Sequence, residues 1–223
     1  MCGRFEDPDE ESIVSTFGVE VVKAHKEPSR DVRPTQQIRI VTEDAITAQR
    51  ENRSIVRELR FARWGLIPHW AKSIDPRRLL INARSETLLT KPSFRAAAKH
   101  RRAIVPAVGY YEWTSGKPGK KQPFFLHPED QQLLGFAAVY EWWKPTTQTQ
   151  ISSQPEWVCS VAIITRPAAD SLGHIHDRMP VVVPPIMYDD WLNPNLTNQA
   201  EVEAIMSTMP NPALTPIARS PSD

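Results

Sequence analysis

Hydrophobic residues recur along the chain either every second residue, as in strands, or every three to four residues, as in helices. The strand-like spacing predominates. Residues 54–64 alternate between apolar and polar side chains, and several other runs are rich in β-branched and aromatic residues, a pattern typical of strands. We predict strands over residues 37–42, 54–64, 101–113, 122–127, 133–142, 157–165 and 180–184. Helical spacing predicts helices over residues 8–17, 91–100 and 198–209, with a short helical turn over residues 167–173.

The order of these elements indicates the fold class. Strands outnumber helices, and the helices do not alternate with strands as they would in a parallel α/β fold. We therefore predict an α+β fold, strand-dominated, with a curved, barrel-like and mainly antiparallel sheet and peripheral helices. The 223 residues, 21 of them proline, fit one domain of short elements, 1–223. Within it we expect a polar surface loop at residues 144–156 and, after the C-terminal helix, an irregular proline-rich tail at residues 210–223.

Composition narrows the class of protein further. Hydrophobic residues make up 40 % of the chain, which excludes a disordered polypeptide. No apolar run reaches the roughly 18 residues that span a bilayer, and the first residues lack the apolar stretch of a signal peptide, so we expect a cytoplasmic protein with no membrane partner. In that reducing compartment two cysteines remain thiols. Cys159 lies in an apolar strand pattern and is predicted to be a core residue, so only Cys2 invites a chemical explanation.

The charge of the chain is unevenly distributed. Residues 50–102 hold 14 Lys and Arg against four Asp and Glu, although the whole chain has a net charge of only +1. A basic middle within an acidic remainder indicates an anion-binding face, for which nucleic acid is a natural ligand. The alternative is a solvated face with scattered arginines, and charge alone leaves both interpretations open.

Cys2 stands where removal of Met1 would leave it as the first residue. A small residue at position 2 permits that removal, and the mature chain would then carry an α-amine and a thiol on adjacent carbons. Such an amine titrates at about pH 8 and such a thiol at about pH 8.5, so both have a reactive fraction near neutral pH. Together they can attack one aldehyde twice, first forming a Schiff base and then closing a thiazolidine ring. The alternative is a chance cysteine at a frayed terminus.

Flat apolar side chains alternate with cations in the basic middle: Trp64, Pro68 and Trp70 stand among Arg63, Lys72, Arg77, Arg78 and Arg84. Such platforms suit unstacked nucleic-acid bases, whose stacking contributes about 1–3 kcal/mol each. For Trp64 the alternative, a core position, is favoured because this residue ends a strand pattern. Asn82 and Arg84 are two apart in an extended segment, so we expect them to face the same side and hold a sugar hydroxyl and a phosphate.

Two further motifs carry groups that transfer protons. Glu112 follows an apolar strand and stands among aromatic residues, where desolvation should raise the pKa of its carboxyl and suit it to general acid–base catalysis. The alternative is a glutamate of an edge strand that faces water. His176 lies in the segment HIHDRMP and could shuttle protons. His174 and His176 could instead bind a metal, but the cysteines make no zinc-like spacing, so we predict no metal and no cofactor.

Taken together, the motifs resemble the SOS-response-associated peptidase (SRAP) family, whose members process abasic sites. The matching segments are MCGRF (1–5), RPTQ (33–36), RWGLIPHWAK (63–72), INARSET (81–87), GYYEW (109–113), KQPFF (121–125) and IHDRMPVVV (175–183). They occur in the family's order and occupy residues 1–183, whereas the C-terminal helix and tail at residues 198–223 carry none of them.

The resemblance implies a function and a set of site residues. It implies that Met1 is removed and that Cys2 joins covalently to the ring-opened aldehyde of an abasic site in single-stranded DNA, with Asn82 steadying the adduct and Glu112 and His176 assisting proton transfer. By the same resemblance the DNA-binding residues are Arg4 and Arg84 at the flanking phosphates, Pro34 and Trp70 as stacking or wedge surfaces, and Thr165 near the lesion pocket.

The resemblance also implies activities and partners around that chemistry. It implies abasic-site lyase activity and a peptidase activity that processes the chain's own N-terminus, without a cofactor. The partner is single-stranded DNA with abasic sites, which would bring a monomeric, cytoplasmic protein to the nucleoid and to replication-fork proteins.

The chain departs from the family pattern in three places. Asp31 stands where the family often has asparagine, Ala71 follows Trp70 where some members carry a second tryptophan, and residues 215–223 lack the usual asparagine-containing segment. Two other function classes remain as alternatives. One is an N-terminal-nucleophile hydrolase of the glutamine amidotransferase type, and the other is a noncovalent module that binds single-stranded nucleic acid.

Overall fold

A computed structural model describes residues 2–114, 121–145, 157–168 and 175–221. Within these ranges the strands are β1 (Phe5–Asp7), β2 (Val21–Val22), β3 (Ser29–Val32), β4 (Gln37–Glu43), β5 (Arg57–Trp64), β6 (Asn82–Arg84), β7 (Arg102–Ala107), β8 (Gly109–Trp113), β9 (Pro123–His127), β10 (Leu134–Trp143), β11 (Val158–Pro167), β12 (Arg178–Pro180) and β13 (Thr215–Ala218). The α-helices are α1 (Glu10–Phe17), α2 (Ala45–Arg50), α3 (Arg95–His100), α4 (Tyr188–Leu192) and α5 (Gln199–Thr208), and single 3₁₀ turns cover Ser85–Thr87 and Pro185–Met187.

Five strands close into a barrel in the order β11, β10, β7, β4, β5 and back to β11. The neighbours are antiparallel except at the closure, where β5 and β11 run parallel and pair Arg63 with Ser160 and Trp64 with Val161. A second, antiparallel sheet in the order β13, β9, β8, β1, β3 packs beside the barrel. The predicted strand-dominated, barrel-like α+β fold is thereby confirmed.

Alternation along the barrel strands divides the core in two. Side chains such as Ile40, Trp64 and Phe136 fill the barrel interior, whereas their neighbours Val41 and Val139 point outward and are covered by the helices. Successive residues of a strand face opposite sides, so one strand supplies both cores. Trp64 is fully buried, which confirms its assignment to the core, and Cys159 lies in the interior as predicted.

The predicted strand over residues 101–113 is wrong as one element. It forms two strands, β7 in the barrel and β8 in the second sheet, separated by Val108, whose N–H donates to the Glu6 carbonyl oxygen over 2.9 Å. β8 begins at Gly109. This position requires glycine because a Cβ there would lie 2.6 Å from the Leu126 carbonyl oxygen. The apolar run is continuous because both strands are buried, so its pattern contains no boundary.

The remaining predicted elements differ mostly at their ends. The helix predicted over residues 91–100 begins only at Arg95. α1 begins two residues after its predicted start and α5 one residue after its own, because the side chains of Asp9 and Asn198 cap these helices. The strand over residues 180–184 ends at Pro180 and continues only as a single bridge between Val182 and Phe136. Most of the loop at residues 144–156 and of the turn at residues 167–173 lies outside the described residues.

The tail predicted to be irregular contains a strand, so that prediction is wrong. β13 pairs with β9 and closes the edge of the second sheet. Beyond it, the Arg219 guanidinium lies 3.9 Å from the centre of the Phe125 ring, donates to the Tyr111 hydroxyl over 2.9 Å and pairs with Glu6. The C-terminus therefore supports β1, the strand that follows Cys2. None of the helices found in the described ranges is long and apolar enough to cross a bilayer.

Candidate active site

Cys2 lies in the buried cluster that fills the barrel and the space beside the second sheet. It is completely inaccessible to solvent. The Asn82 side-chain amide donates to the Cys2 carbonyl oxygen, with 2.9 Å between Nδ2 and O. β6 places Asn82 there by pairing in parallel with β11, opposite Ile163. A cysteine two residues from the start of the chain is thus anchored to a segment 80 residues away.

Burial is the main influence on the Cys2 thiol. It raises the pKa of the thiol strongly, and the negative charge of the nearby Glu112 carboxylate raises that pKa further. The thiol is therefore protonated at neutral pH and needs a neighbouring base before it can act as a nucleophile.

Glu112 lies in the middle of the second sheet, on β8, and its side chain turns into the core. The residue is only 4 % exposed, which excludes the alternative of an edge glutamate that faces water. Burial raises the pKa of its carboxyl, while the positive charge available on His176 acts in the opposite direction. The raised pKa predicted from the aromatic surroundings is confirmed.

His176 adjoins Glu112 and is tied to the segment before β12. The two side chains line one small cavity together with Tyr110 and Met179. His176 Nδ1 accepts a hydrogen bond from the Arg178 backbone N–H over 3.0 Å and lies 2.8 Å from an Asp177 carboxylate oxygen. These contacts fix the orientation of the imidazole beside Glu112.

Asn82 and Arg84 flank the buried Ala83 on β6, which agrees with the prediction that they share a face. Arg84 is exposed, whereas Asn82 is only partly so. The Asn82 Oδ1 atom is buried and finds no hydrogen-bond partner among the residues that the structure describes. An amide oxygen of this kind, next to Cys2, is available to a hydroxyl group of a ligand.

Thr165 is buried on β11 and is held by Arg178, a residue that the sequence motifs did not single out. Arg178 Nη2 donates to the Thr165 carbonyl oxygen over 2.6 Å, and Nη1 pairs with Glu86 over 2.5 Å. The hydrogen bond from Arg178 lowers the pKa of the Glu86 carboxyl to about 2. Arg178 stands two residues after His176, within the matching segment at residues 175–183.

Arg4 and Pro34 lie near each other in the chain's fold because β1 pairs with β3. Both Asp31 oxygens accept from Arg4, over 2.6 and 2.7 Å, and the Arg4 guanidinium lies 5.7 Å from the Trp113 ring centre. Pro34 occupies the second position of a turn in which Thr35 has a φ of 75°, as in a type II turn. A β-branched residue rarely adopts that φ, so the turn is strained and holds Pro34 in one orientation.

Trp70 lies apart from the Cys2 group, on the segment between β5 and β6. Its side chain is 58 % exposed and lines a cleft of about 390 Å³ with Arg63, Lys72 and Arg78. The carbonyl oxygen of the following Ala71 accepts from the Trp143 indole N–H over 2.6 Å, which anchors the segment. The structure thus groups Cys2, Asn82, Glu112 and His176 around one buried centre. Thr165 is held by Arg178, which lines the same cavity as Glu112 and His176, whereas the Arg4 side chain contacts Asp31 and Trp113. Trp70 and Arg84 are exposed, and Pro34 is partly exposed.

No metal centre emerges from this geometry. Across the part of the chain that the structure describes, no three His, Cys, Asp or Glu side chains gather where they could hold a metal ion. His174, one half of the histidine pair considered above, lies outside the described residues.

Comparison with known proteins identifies the family. The family described as "SOS response associated peptidase (SRAP)" matches residues 1–220. The chain is 34 % identical to the abasic site processing protein YoqW of Bacillus subtilis, over 92 % of this chain and 86 % of that protein. It is 32 % identical to the abasic site processing protein HMCES of Gallus gallus, over 60 % of this chain and 45 % of that protein. The chain therefore belongs to the SRAP family.

Solved structures support the fold. A crystal structure of a Bordetella bronchiseptica protein superposes with a TM-score of 0.75 at 24 % identity, covering 98 % of this chain and all of that one. A Bacteroides thetaiotaomicron protein superposes with a TM-score of 0.71 at 22 % identity, covering 98 % of this chain and 96 % of that one. At these identities the likeness speaks for the fold alone.

Proposed function

We propose that this chain senses abasic sites in single-stranded DNA and captures them covalently through Cys2. One observation carries the proposal: Asn82, from a segment 80 residues away, holds the Cys2 carbonyl at 2.9 Å. Glu112 lies within electrostatic reach of the Cys2 thiol, and His176 within reach of Glu112. The names of YoqW and HMCES, both abasic site processing proteins, support the choice of substrate.

The reaction begins with hydrolysis of the Met1–Cys2 peptide bond, which frees the α-amine. That amine condenses with the aldehyde of the ring-opened sugar to give an imine and water. The thiol then adds across the C=N bond, forming a C–S bond while its proton passes to the nitrogen, and a thiazolidine results. No oxidant or reductant is needed, and an abasic sugar presents its aldehyde without the cost of extruding a paired base.

Each neighbour of Cys2 has a task in this scheme. The carboxylate of Glu112, whose pKa is raised by burial, accepts a proton from the amine or thiol and returns it later. His176 delivers a proton to the departing water. The Oδ1 of Asn82, which has no hydrogen-bond partner among the described residues, accepts a hydrogen bond from a sugar hydroxyl, while its Nδ2 keeps Cys2 in place.

The DNA strand reaches this centre along charged and apolar side chains. Arg4 and Arg84 bind the flanking phosphates, and guanidinium groups suit this because they offer two parallel donors to one phosphate. The exposed Trp70 and the fixed Pro34 provide surfaces against which bases stack or part. Thr165 borders the place of the lesion.

The same chemistry accounts for two further activities. An imine that the thiol does not close can lose the 3′-phosphate by β-elimination, which is a lyase reaction. Hydrolysis of the Met1–Cys2 bond by the chain itself would be the peptidase reaction. In this proposal the protein acts as a cytoplasmic monomer at strands exposed beside replication-fork proteins.

Incubation with an abasic oligonucleotide, followed by a denaturing gel, tests the proposal. We expect a shifted band for the unchanged protein and for Cys159→Ser, and no such band for Cys2→Ser or Cys2→Ala. A band of full intensity in the Cys2 variants would overturn the proposal. Glutaminase turnover in place of any band would favour the hydrolase alternative, and salt-sensitive binding without a band would favour the noncovalent module.

A further inference from the structure

Arg4, the residue proposed to bind a phosphate, already binds a carboxylate of its own chain. Its Nε and Nη2 atoms donate to the two oxygens of Asp31 over 2.6 and 2.7 Å. Arg33 adds its own Nε and Nη2 to one of the same oxygens, over 2.9 and 2.6 Å. Asp31 thus accepts from two guanidinium groups, and Arg4 holds it in the parallel, two-donor geometry that arginine also uses for phosphate.

The Arg4–Asp31–Arg33 cluster lies at the second sheet, where β1 pairs with β3. The Arg4 guanidinium lies over the ring of Trp113, which follows Glu112 on β8. The backbone N–H of Arg33 donates to the Gln36 side chain over 2.9 Å, which fixes the turn that follows. The side chains of Arg4 and Asp31 are 24 % and 23 % exposed, so a ligand can reach the pair from solvent.

We propose that Asp31 competes with the DNA phosphate for Arg4 and thereby weakens the noncovalent binding of this chain to undamaged single-stranded DNA. The inference rests on the proposed function, because it takes single-stranded DNA as the ligand. A phosphate that approaches Arg4 finds two of its donors in use and a negative charge beside it. An asparagine at this position would have nearly the same shape without that charge.

The competing charge is present at every physiological pH. The hydrogen bonds from Arg4 lower the pKa of the Asp31 carboxyl to about 2. The cluster therefore carries one net positive charge where an asparagine would leave two. Binding of single-stranded nucleic acid weakens with salt by a slope of about 0.7 for each phosphate that a cation neutralises, so one charge is measurable.

This competition suits a protein whose stable complex is covalent. A weak noncovalent grip lets the chain leave undamaged strands quickly, while the bond to Cys2 retains it at a lesion. Asp31 then affects how much DNA is needed for half-maximal capture, and the rate of capture at saturating DNA stays the same. It is a specificity-determining residue and not a catalytic one.

Fluorescence anisotropy with a labelled single-stranded oligonucleotide that has no abasic site tests the idea at several salt concentrations. We expect Asp31→Asn to bind several-fold more tightly at low salt, with a salt slope steeper by up to about 0.7. Glu51→Gln is the matched control, because Glu51 also lies between two cations, Arg53 at 2.6 Å and Lys23 at 3.6 Å, and its change adds the same charge. It should bind as the unchanged protein does.

A double variant tests whether the tighter DNA binding of Asp31→Asn depends on Arg4. In a chain that already carries Arg4→Gln, the added Asp31→Asn should bring little or no gain. A persistent gain, an equal gain in Glu51→Gln, or weaker binding in Asp31→Asn would each overturn the proposal, the last because Asp31 would then only position Arg4. Circular dichroism checks that each variant is folded, and Asp31→Ser repeats the charge change if the asparagine variant is not.

The proposed function fails in a different way from this inference. If the unchanged protein shows no salt-dependent binding and no covalent band with abasic DNA, the function is wrong whatever Asp31 does. If the unchanged protein gives both and Asp31→Asn binds no more tightly, only the role of Asp31 is wrong.

Discussion

The two cysteines of the chain resemble each other in burial and differ in their surroundings. Both are buried free thiols, and burial raises the pKa of each, that of Cys159 to about 12. Cys159 lies on β11 opposite Trp142. Two charged groups that act on its thiol, Arg60 and Asp44, form an ion pair with each other at 3.2 Å. The Cys2 carbonyl oxygen instead accepts a hydrogen bond from Asn82, and the buried Glu112 carboxyl lies near the Cys2 thiol.

Burial and a raised thiol pKa therefore do not distinguish Cys2, the cysteine that we propose to react, from Cys159. The difference lies in what accompanies the thiol. Next to Cys2 lies the buried carboxyl of Glu112, with the His176 imidazole near it, and in the proposed mechanism removal of Met1 adds an α-amine on the adjacent carbon. Cys159 lies within the chain, near the start of β11, and has no such amine. The predictions below separate these contributions, beginning with the largest effect.

Cys2→Ser should separate the two bond-forming steps of the proposed reaction, imine formation by the α-amine and ring closure by the thiol. The serine variant keeps the α-amine, so it still forms an imine, but its hydroxyl closes no stable thiazolidine. We expect no denaturant-resistant band from Cys2→Ser alone and a clear band when borohydride reduces the imine during incubation. Cys159→Ser should give the band with or without borohydride. A stable band from Cys2→Ser without reductant would show that the thiol is dispensable.

Glu112→Gln should slow capture by about 10²–10⁴-fold, the usual contribution of a general acid–base. Because the folded pKa of Glu112 is raised, the ionised carboxylate destabilises the fold at neutral pH, and that cost disappears as pH falls through the raised pKa. The variant should therefore be more stable than the unchanged protein at neutral pH, with the difference vanishing in acid.

Rates of band formation and urea unfolding at several pH values check both parts of this prediction. In the unchanged protein, capture should decline on the acid side at a pH above the ordinary glutamate range, since the base must be ionised. Equal rates for Glu112→Gln and the unchanged protein would remove Glu112 from the mechanism.

Asn82→Ala should have a smaller effect. It removes the hydrogen bond to the Cys2 carbonyl and the buried Oδ1, so we expect capture to slow by about tenfold, as one or two hydrogen bonds of about 1 kcal/mol would predict. Single-turnover kinetics at saturating DNA measures the change. Arg84→Gln on the same strand is the control: it should raise the DNA concentration required and leave the saturated rate intact.

Cys159→Ala should have the smallest effect on capture and a visible effect on stability. Cys159 is packed inside the barrel, so truncating it lowers the free energy of unfolding by about 1 kcal/mol. Denaturant unfolding measures that loss, and the gel assay should show an unchanged covalent band. A loss of capture in a folded Cys159→Ala protein would contradict the division between the two cysteines.

The strands of the barrel were predictable where one face is buried and the other is not. β4, β5 and β11 follow clear patterns, but the parallel pairing of Trp64 with Val161 that closes the barrel joins distant residues and leaves no local signal. β1, β3 and β6 are too short for a pattern to emerge. β13 was missed because of Pro216, although proline is tolerated in an edge strand such as this one.

The candidate site was predictable in its members and not in its ion pairs. The sequence motifs contain Cys2, Asn82, Glu112 and His176, and the fold brings these four residues together. The ion pair of Arg178 with Glu86 joins residues 92 apart, and the ion pair of Arg4 with Asp31 joins residues 27 apart, so neither pair is predictable from a local motif. Such contacts depend on how strands are laid side by side, which no single segment encodes.

Mass spectrometry of the N-terminal peptide after capture tests the central claim most directly. We predict that the peptide begins at Cys2 and carries the abasic sugar with the loss of one water, as a condensation with the amine followed by thiol addition requires. A peptide that still begins with Met1, or an unmodified Cys2 peptide in a protein that is nevertheless linked to DNA, would contradict the account.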